Sequence, residues 1–326
     1  MKNKLLLDLF IHSSQTFISG EEISKRLKIS RTAVWKQINQ LRDMGYEFEA
    51  VSRKGYRMTF IPDFYKETDI DVNLNTKILG RKIHIMDSTA STQVDAMTQA
   101  ENGTEEGSLF IAEQQTSGRG RLGRKWFSPS GKGIWMSLVL RPELPIRYMP
   151  QLTLLTGVAV CKAIRRVTGA EAAIKWPNDI LIHGKKVCGI LLESATEDNK
   201  VKYCIAGIGI DVNLSAEDYP EELTEIATSL KLETGHTINR ALLIAEILNE
   251  MELLYDRYTN EGFNPIQVEW EEHSVSIGQA VRTETLTETI QGVAKRLDPS
   301  GGLVIAAPSG EERVVYSGEV EIIKQQ

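Results

Sequence analysis

Cysteine is scarce in this chain. There are three, Cys161, Cys188 and Cys204, and none stands in the C-x-x-C spacing of a zinc site or a dithiol redox pair. An odd number so far apart in sequence reads as buried, reduced thiols of a cytoplasmic protein. Long apolar runs are missing too: no stretch approaches the roughly 18 residues of a membrane span. The opening MKNKLLLDLFIH carries the charge of a secretory signal, but Asp8 interrupts its apolar run and no small-residue cleavage site follows. A Walker A loop, GxxxxGK[ST], is absent as well. These gaps leave a soluble globular chain with no membrane partner.

What is present is enough for a sizeable core. The chain has 326 residues, of which 41% are apolar, and that length suggests two or three domains. Its net charge of −6 conceals an asymmetry. Residues 1–60 hold eleven Lys/Arg against six Asp/Glu, a net +5 that leaves −11 for the remainder. A basic module on an acidic body points to a polyanionic partner for the first segment only.

That first segment has helical punctuation. Leu5, Leu6, Leu9 and Phe10 form a short apolar stripe, and Ser19-Gly20-Glu21-Glu22 has the form of a capping box opening a second helix that ends near Leu27. Ser30 caps a third, in which Val34, Ile38 and Leu41 share one face and Gly45 supplies the stop. That helix points Thr32, Lys36, Asn39 and Gln40 away from the core, with Trp35 on its flank. YEFEAVSRKGYRM (46–58) then reads as a two-stranded wing with Arg53-Lys54-Gly55 at its tip. Helix, helix-turn-helix and wing is the order of a winged-helix DNA-binding domain. On this reading Thr32, Lys36 and Gln40 enter the major groove while Arg53 and Lys54 contact phosphates. A helical cap with a solvated basic face is the alternative; the charge asymmetry favours DNA. Ile61-Pro62-Asp63 marks a boundary, giving a first domain over 1–62.

The second dense stretch is GRGRLGRKWF (118–127). Gly118, Gly120 and Gly123 free the backbone to line an anion site, and Arg119, Arg121 and Arg124 add planar forks that grip phosphate or carboxylate oxygens. Trp126 offers a flat face for a ring. The letters also match GxGxxG, but no helix pattern follows, so a dinucleotide fold is not implied. Downstream, KWPND (175–179) leads into a hairpin that turns at His183-Gly184 and returns through Lys186. By pattern alone Lys186 could be a rim lysine with its stem on the sheet. YCIAGIGIDVNL (203–214) is an apolar strand whose small residues permit close approach of a ligand.

Taken together, these motifs resemble the bifunctional biotin protein ligase and biotin operon repressor (BirA) family over essentially the whole chain. SGRGRLGRKWFSPSGKGIW matches its biotinyl-adenylate loop, and KWPNDI with GKKVCGILLE its second signature. The resemblance implies an α+β multidomain protein. A winged helix-turn-helix comes first, then a ligase domain (66–275) with the mixed sheet and helices of class II synthetases, then an SH3-like β-barrel (276–326). It also implies an enzyme that joins biotin to ATP, with Mg²⁺, as biotinyl-5′-AMP, and passes biotin to a lysine of a carboxylase's biotin carrier domain. The adenylate would act as corepressor, promoting homodimerisation and operator binding.

Carried over by position, Ser91, Thr92, Gln93 and Gln115 would contact biotin, with Arg119, Gly120, Arg121 and Lys186 over its carboxylate and the adenylate phosphate. Arg119, Arg121 and Lys186 would be the catalytic cations. Arg124, Trp126, Asn178 and Asp211 would face the nucleotide, and Asp179 would hold Mg²⁺. Asp211 departs from the pattern, since relatives often have asparagine in GIGIN. A lipoate-type ligase of related fold is a rival that the arginine-rich loop argues against, and a ligand sensor without turnover is another.

Leu152–Val167 and Arg240–Tyr258 have helical spacing suited to one face of a sheet. From Ser276 the pattern becomes short strands, AVRTETL, TIQGVAKRL, GGLVIAA and RVVYSGEVEII, separated by Gly- and Pro-containing turns.

Overall fold

A computed structural model describes residues 4–11, 13, 16–43, 45–52, 54–60, 64–198, 200–284 and 288–323. The chain divides into two compact units, Met1–Phe64 with Pro129–Lys132, and Tyr65–Ser128 with Gly133–Gln326.

In the first unit, α1 (Lys4–Ile11), α2 (Gly20–Leu27) and α3 (Arg31–Asp43) precede β1 (Glu47–Val51) and β2 (Gly55–Phe60), an antiparallel pair. This is the expected helix-turn-helix with a wing. Leu6, Phe10, Ile23, Val34, Ile38, Leu41, Phe48 and Met58 build its core. Leu5 does not join them; it is exposed, because the stripe that faces the core runs through Leu6 and Phe10. Ser19 and Ser30 cap α2 and α3, accepting from Glu22 N at 3.1 Å and Ala33 N at 3.2 Å. Only half of the capping box forms: the Glu22 side chain pairs with Arg26 one turn on. Arg53 and the boundary residues Ile61-Pro62-Asp63 lie outside the described residues.

The second unit opens with α4 (Glu67–Asp71) and centres on a seven-stranded sheet. Its members are β3 (Lys82–Met86), β4 (Ser108–Ala112), β5 (Gly133–Leu140), β6 (Ala173–Lys175), β7 (Asp179–Ile182), β8 (Lys185–Glu197) and β9 (Lys200–Asp211). They lie in the order β3-β4-β5-β9-β8-β7-β6. Only β3 and β4 run parallel, so the sheet is mixed as expected.

Alternation along the central strands decides what covers each face. Ile134, Met136 and Leu138 of β5 and Ile208 and Ile210 of β9 join one large core with α6 (Met149–Thr168), α8 (Arg240–Glu261) and α9 (Asn264–Glu272), while α7 (Leu230–Thr234) adds Leu230. The intervening positions look the other way. There Val139, Tyr203 and Ile205 pack under α5 (Thr92–Glu101), through Ala96 and Ala100. Further along β9 the residues of this phase are Gly207, Gly209 and Asp211. Glycines carry no side chain to fill the space, so this part of the sheet is left open for a site.

A buried ion pair ties the first turn of α8 to Glu113, the residue just after β4. Arg240 Nη1 lies 2.9 Å from Glu113 Oε2 and donates to Gly133 O at 3.0 Å. Tyr65 completes the cluster, donating from its backbone N to Glu113 Oε1 and from its hydroxyl to Gly133 O, both at 2.7 Å.

Five antiparallel strands form the C-terminal SH3-like domain: β10 (Ala280–Glu284), β11 (Thr289–Leu297), β12 (Leu303–Ala306), β13 (Glu312–Val315) and β14 (Val320–Ile322). Their order is β13-β12-β11-β10-β14. RVVYSGEVEII, read above as one strand, splits into β13 and β14, which sit at opposite ends of the sheet. Gly318, at φ +129°, lies in the turn between them.

Candidate active site

Over the open part of the sheet lies a cavity of about 510 Å³. Every ligase-site residue expected from sequence lines it: Ser91, Thr92, Gln93, Gln115, Arg119, Gly120, Arg121, Arg124, Trp126, Asn178, Asp179, Lys186 and Asp211.

At one end the walls are neutral and polar. Gln115 Oε1 accepts from Thr92 N at 3.0 Å and Thr92 Oγ1 at 3.1 Å, and its Nε2 donates to Ser128 Oγ at 2.9 Å. Thr92 Oγ1 lies 2.9 Å from Ser137 Oγ, which donates to Gln93 Oε1 at 3.1 Å. Gln93 Nε2 in turn reaches the carbonyls of Leu191 and Ile205. Ser91 is nearly fully buried at the start of α5, yet its hydroxyl has no hydrogen-bond partner among the described residues. A buried hydroxyl without a partner is costly, so this atom is set for a ligand.

The flat floor comes from β8 and β9. A Cβ on Gly189 would fall 2.9 Å from Trp126 Cζ3. The indole therefore lies directly on the strand backbones, with Lys186 Nζ 5.2 Å from its ring centroid.

Cations crowd the other end. The 118–126 loop folds as a narrow hairpin with its own backbone bonds, Trp126 N to Gly118 O at 2.9 Å and Gly120 N to Arg124 O at 2.8 Å. Gly118 and Gly120 lead into a single 3₁₀ turn, Arg121–Gly123, which ends on the third glycine; no α-helix opens there, as expected for a loop that is not a dinucleotide turn. Arg119 faces Glu193 at 3.2 Å, and Arg124 pairs with Glu319. Arg121 donates to Asn178 Oδ1 at 2.8 Å and Gly318 O at 3.2 Å; burial lowers its pKa, against the pull of Asp179 and Glu319. Lys186 Nζ stands 2.7 Å from Asp179 Oδ1, a close ion pair off the hydrogen-bonding angle. Asp211, at the end of β9, is buried and its pKa is pushed up to about 8, while the Tyr219 hydroxyl bond and Lys186 pull the other way.

The three cysteines are buried and free. Burial raises all of them, Cys161 to about 11 and Cys204 to about 12, which leaves no reactive thiolate.

Sequence reasoning missed three parts of the site. Ser137 had a signal, as the one polar side chain inside the apolar run GIWMSLVL. The segment around Ile226 had none. It runs alongside the start of β8, Lys186 N donating to Ile226 O and Thr228 N to Lys186 O, both at 2.9 Å. Gly318 and Glu319 come from the C-terminal domain, and no local pattern predicts that they reach the loop.

In the first unit, α3 presents Thr32, Lys36 and Gln40 to solvent, with Trp35 beside them at 54% exposure. Asn39 is half-buried, its Oδ1 accepting from Arg42. Lys54 is exposed on the wing.

Family models match three segments: an HTH domain over residues 3–57, the biotin/lipoate A/B protein ligase family over 85–211, and a biotin protein ligase C-terminal domain over 276–322. The bifunctional ligase/repressor BirA of Bacillus spizizenii is 46% identical over 319 residues, 98% of either chain. This chain belongs to the BirA family. The Escherichia coli BirA is similar at 28% identity, covering 89% of this chain and 88% of that protein. Among solved structures, a biotin protein ligase from Aquifex aeolicus in complex with biotin and ATP matches with a TM-score of 0.64 and 29% identity, over 75% of this chain and 100% of that one. In BirA-family terms, most of the cavity lining lies in the segment that the ligase model matches, with further lining from 223–227 and from Glu319 and Val320 of the C-terminal match, and α3 lies in the HTH segment. No helix among the described residues is long and apolar enough to cross a membrane.

Proposed function

We propose that this protein is an ATP-dependent biotin protein ligase and a biotin-responsive repressor of a biotin operon. Biotin's carboxylate oxygen attacks the α-phosphorus of ATP, the bond to the bridging oxygen breaks, and pyrophosphate leaves with that electron pair. A carrier-domain lysine then attacks the acyl carbon of biotinyl-5′-AMP, AMP departs, and the amine loses its proton.

The residues divide this work. Arg119, Arg121 and Lys186 offset the charge that builds as two anions approach, and need no covalent nucleophile. Trp126 gives the base a flat neighbour. Asp179 is a carboxylate free to turn from Lys186 to a hard cation, with substrate phosphates and water as the other ligands, as Mg²⁺ commonly binds. When bound, Mg²⁺ adds further positive charge at the phosphates.

The observation that carries the choice of acid is the polar chain Gln115–Thr92–Ser137–Gln93 with the unpartnered Ser91 hydroxyl. Biotin's ureido ring offers two N–H groups and a carbonyl to it. A lipoyl dithiolane offers neither and would leave the buried Ser91 hydroxyl unpaired, a penalty that favours biotin. Biotin-dependent exchange of labelled pyrophosphate into ATP tests this, with lipoate as the control acid. Exchange with biotin alone is expected; exchange with lipoate alone, or with neither acid, would overturn it.

For repression, the adenylate acts as corepressor and the loaded protein binds operator DNA as a homodimer. Thr32, Lys36 and Gln40 enter the groove, and Lys54 meets phosphate.

A further inference from the structure

Asp211 stands where the family resemblance places an asparagine, and its surroundings do not suit an anion. It is 6% exposed at the end of β9, in the phase of Gly207 and Gly209 that faces the cavity. Tyr219 OH donates to Oδ2 at 3.2 Å, and Oδ1 has no hydrogen-bond partner among the described residues. The charged and titratable groups around it are few. Tyr219 comes from the segment after β9, and Lys186, from β8, is already engaged by Asp179. The Cys188 thiol of β8 is fully buried and neutral.

Protonation changes what such a group can recognise. A carboxylate has only acceptors, whereas a carboxylic acid has one acceptor and one O–H donor, the same pair an asparagine amide presents. Adenine shows an amino donor beside a ring-nitrogen acceptor, which matches the acid. Guanine shows adjacent N–H donors on its N1 and N2 side, which match the carboxylate.

We propose that Asp211 reads the nucleotide base as a neutral carboxylic acid, its carbonyl accepting from the adenine amino group and its hydroxyl donating to the neighbouring ring nitrogen. The inference rests on the ATP-binding reading of this cavity. Asp211 thereby fills the asparagine's role only while it keeps its proton. Burial of the carboxyl, which pushes its pKa to about 8, keeps that proton in place at neutral pH.

The test is the KM for ATP in biotin-dependent pyrophosphate exchange from pH 6 to 10, for the full chain and for Asp211→Asn and Tyr219→Phe. Relative to Asp211→Asn, the unaltered protein should show a constant KM up to about pH 8, then a rise approaching tenfold per pH unit, with kcat changing far less. GTP use should gain on ATP over the same range. Tyr219→Phe loses the hydroxyl bond that favours the anion, so its break should move to higher pH and keep the test alive if the asparagine variant fails to fold. A KM ratio flat to pH 10, or an unmoved break in Tyr219→Phe, would overturn the inference. No exchange at any pH would instead sink the ligase reading; calorimetric ATP binding over the same pH series then decides the role of Asp211 separately, a flat affinity overturning it.

Discussion

Trp126 rests on Gly209 so closely that a Cβ built on the glycine would fall 2.5 Å from the indole Nε1. No real side chain tolerates that distance, so the smallest substitution moves the tryptophan. Gly209→Ala is expected to raise the KM for ATP by about tenfold or more, in line with the 1–3 kcal/mol that overpacking costs. Steady-state kinetics check it, with Trp126 emission as a second readout; an unchanged KM would show that the indole does not support the nucleotide.

Lys186→Ala should lower the rate of adenylate formation about 10²–10³-fold, the loss typical for one preorganised donor. The backbone bonds of Lys186 to Ile226 and Thr228 do not involve the side chain, so the fold should persist. Single-turnover formation of biotinyl-5′-AMP measures the effect directly. Near-normal turnover would take Lys186 off the list of catalytic cations.

Glu113→Ala would leave the Arg240 guanidinium buried opposite an apolar side chain. Breaking a buried pair from one side costs about 3–5 kcal/mol. The melting temperature should fall by on the order of 10 °C, given a few degrees per kcal/mol for a domain of this size. Replacing both partners with apolar residues of similar volume should recover much of the loss, which a calorimetric double-mutant cycle would reveal.

On the DNA side, the exposed cations and the neutral side chains of α3 should separate experimentally. Lys54→Ala should weaken binding to all sequences and flatten the salt dependence by about one unit of slope, as the loss of a phosphate contact does. Gln40→Ala should relax sequence preference with the salt slope intact. Gel-shift titrations at several salt concentrations distinguish the two, and equal effects on both quantities from both variants would argue against this docking.

Much of the candidate site's lining was legible because it is written in local segments. The loop at 118–127, the KWPND turn and the glycine-rich β9 each carry their chemistry within a dozen residues, and folding brings them together over the helix-free part of the sheet. The helices α6 and α8 announced themselves by apolar spacing, and Ser19 and Ser30 by cap chemistry. What was not legible depends on distant partners. Glu22 satisfies the capping pattern but turns to Arg26, because an i,i+4 cation competes for its carboxylate. The pairing of Lys186 with Ile226 and the contact of Glu319 with Arg124 are set by tertiary approach, and neither segment has a composition that distinguishes it from ordinary loop.

A single guanidinium gathers three distant parts of the chain: Arg121 bonds Asn178, 57 residues on, and Gly318, 197 residues on. The order of synthesis follows from this. A nascent polypeptide still held by the ribosome short of Gly318 has its arginine loop and its KWPND turn but lacks the carbonyl that helps fix Arg121 between them. That contact therefore forms only once the C-terminal domain has been made, and a chain cut off before Gly318 would carry the helix-turn-helix module beside an arginine loop that lacks one of its anchors.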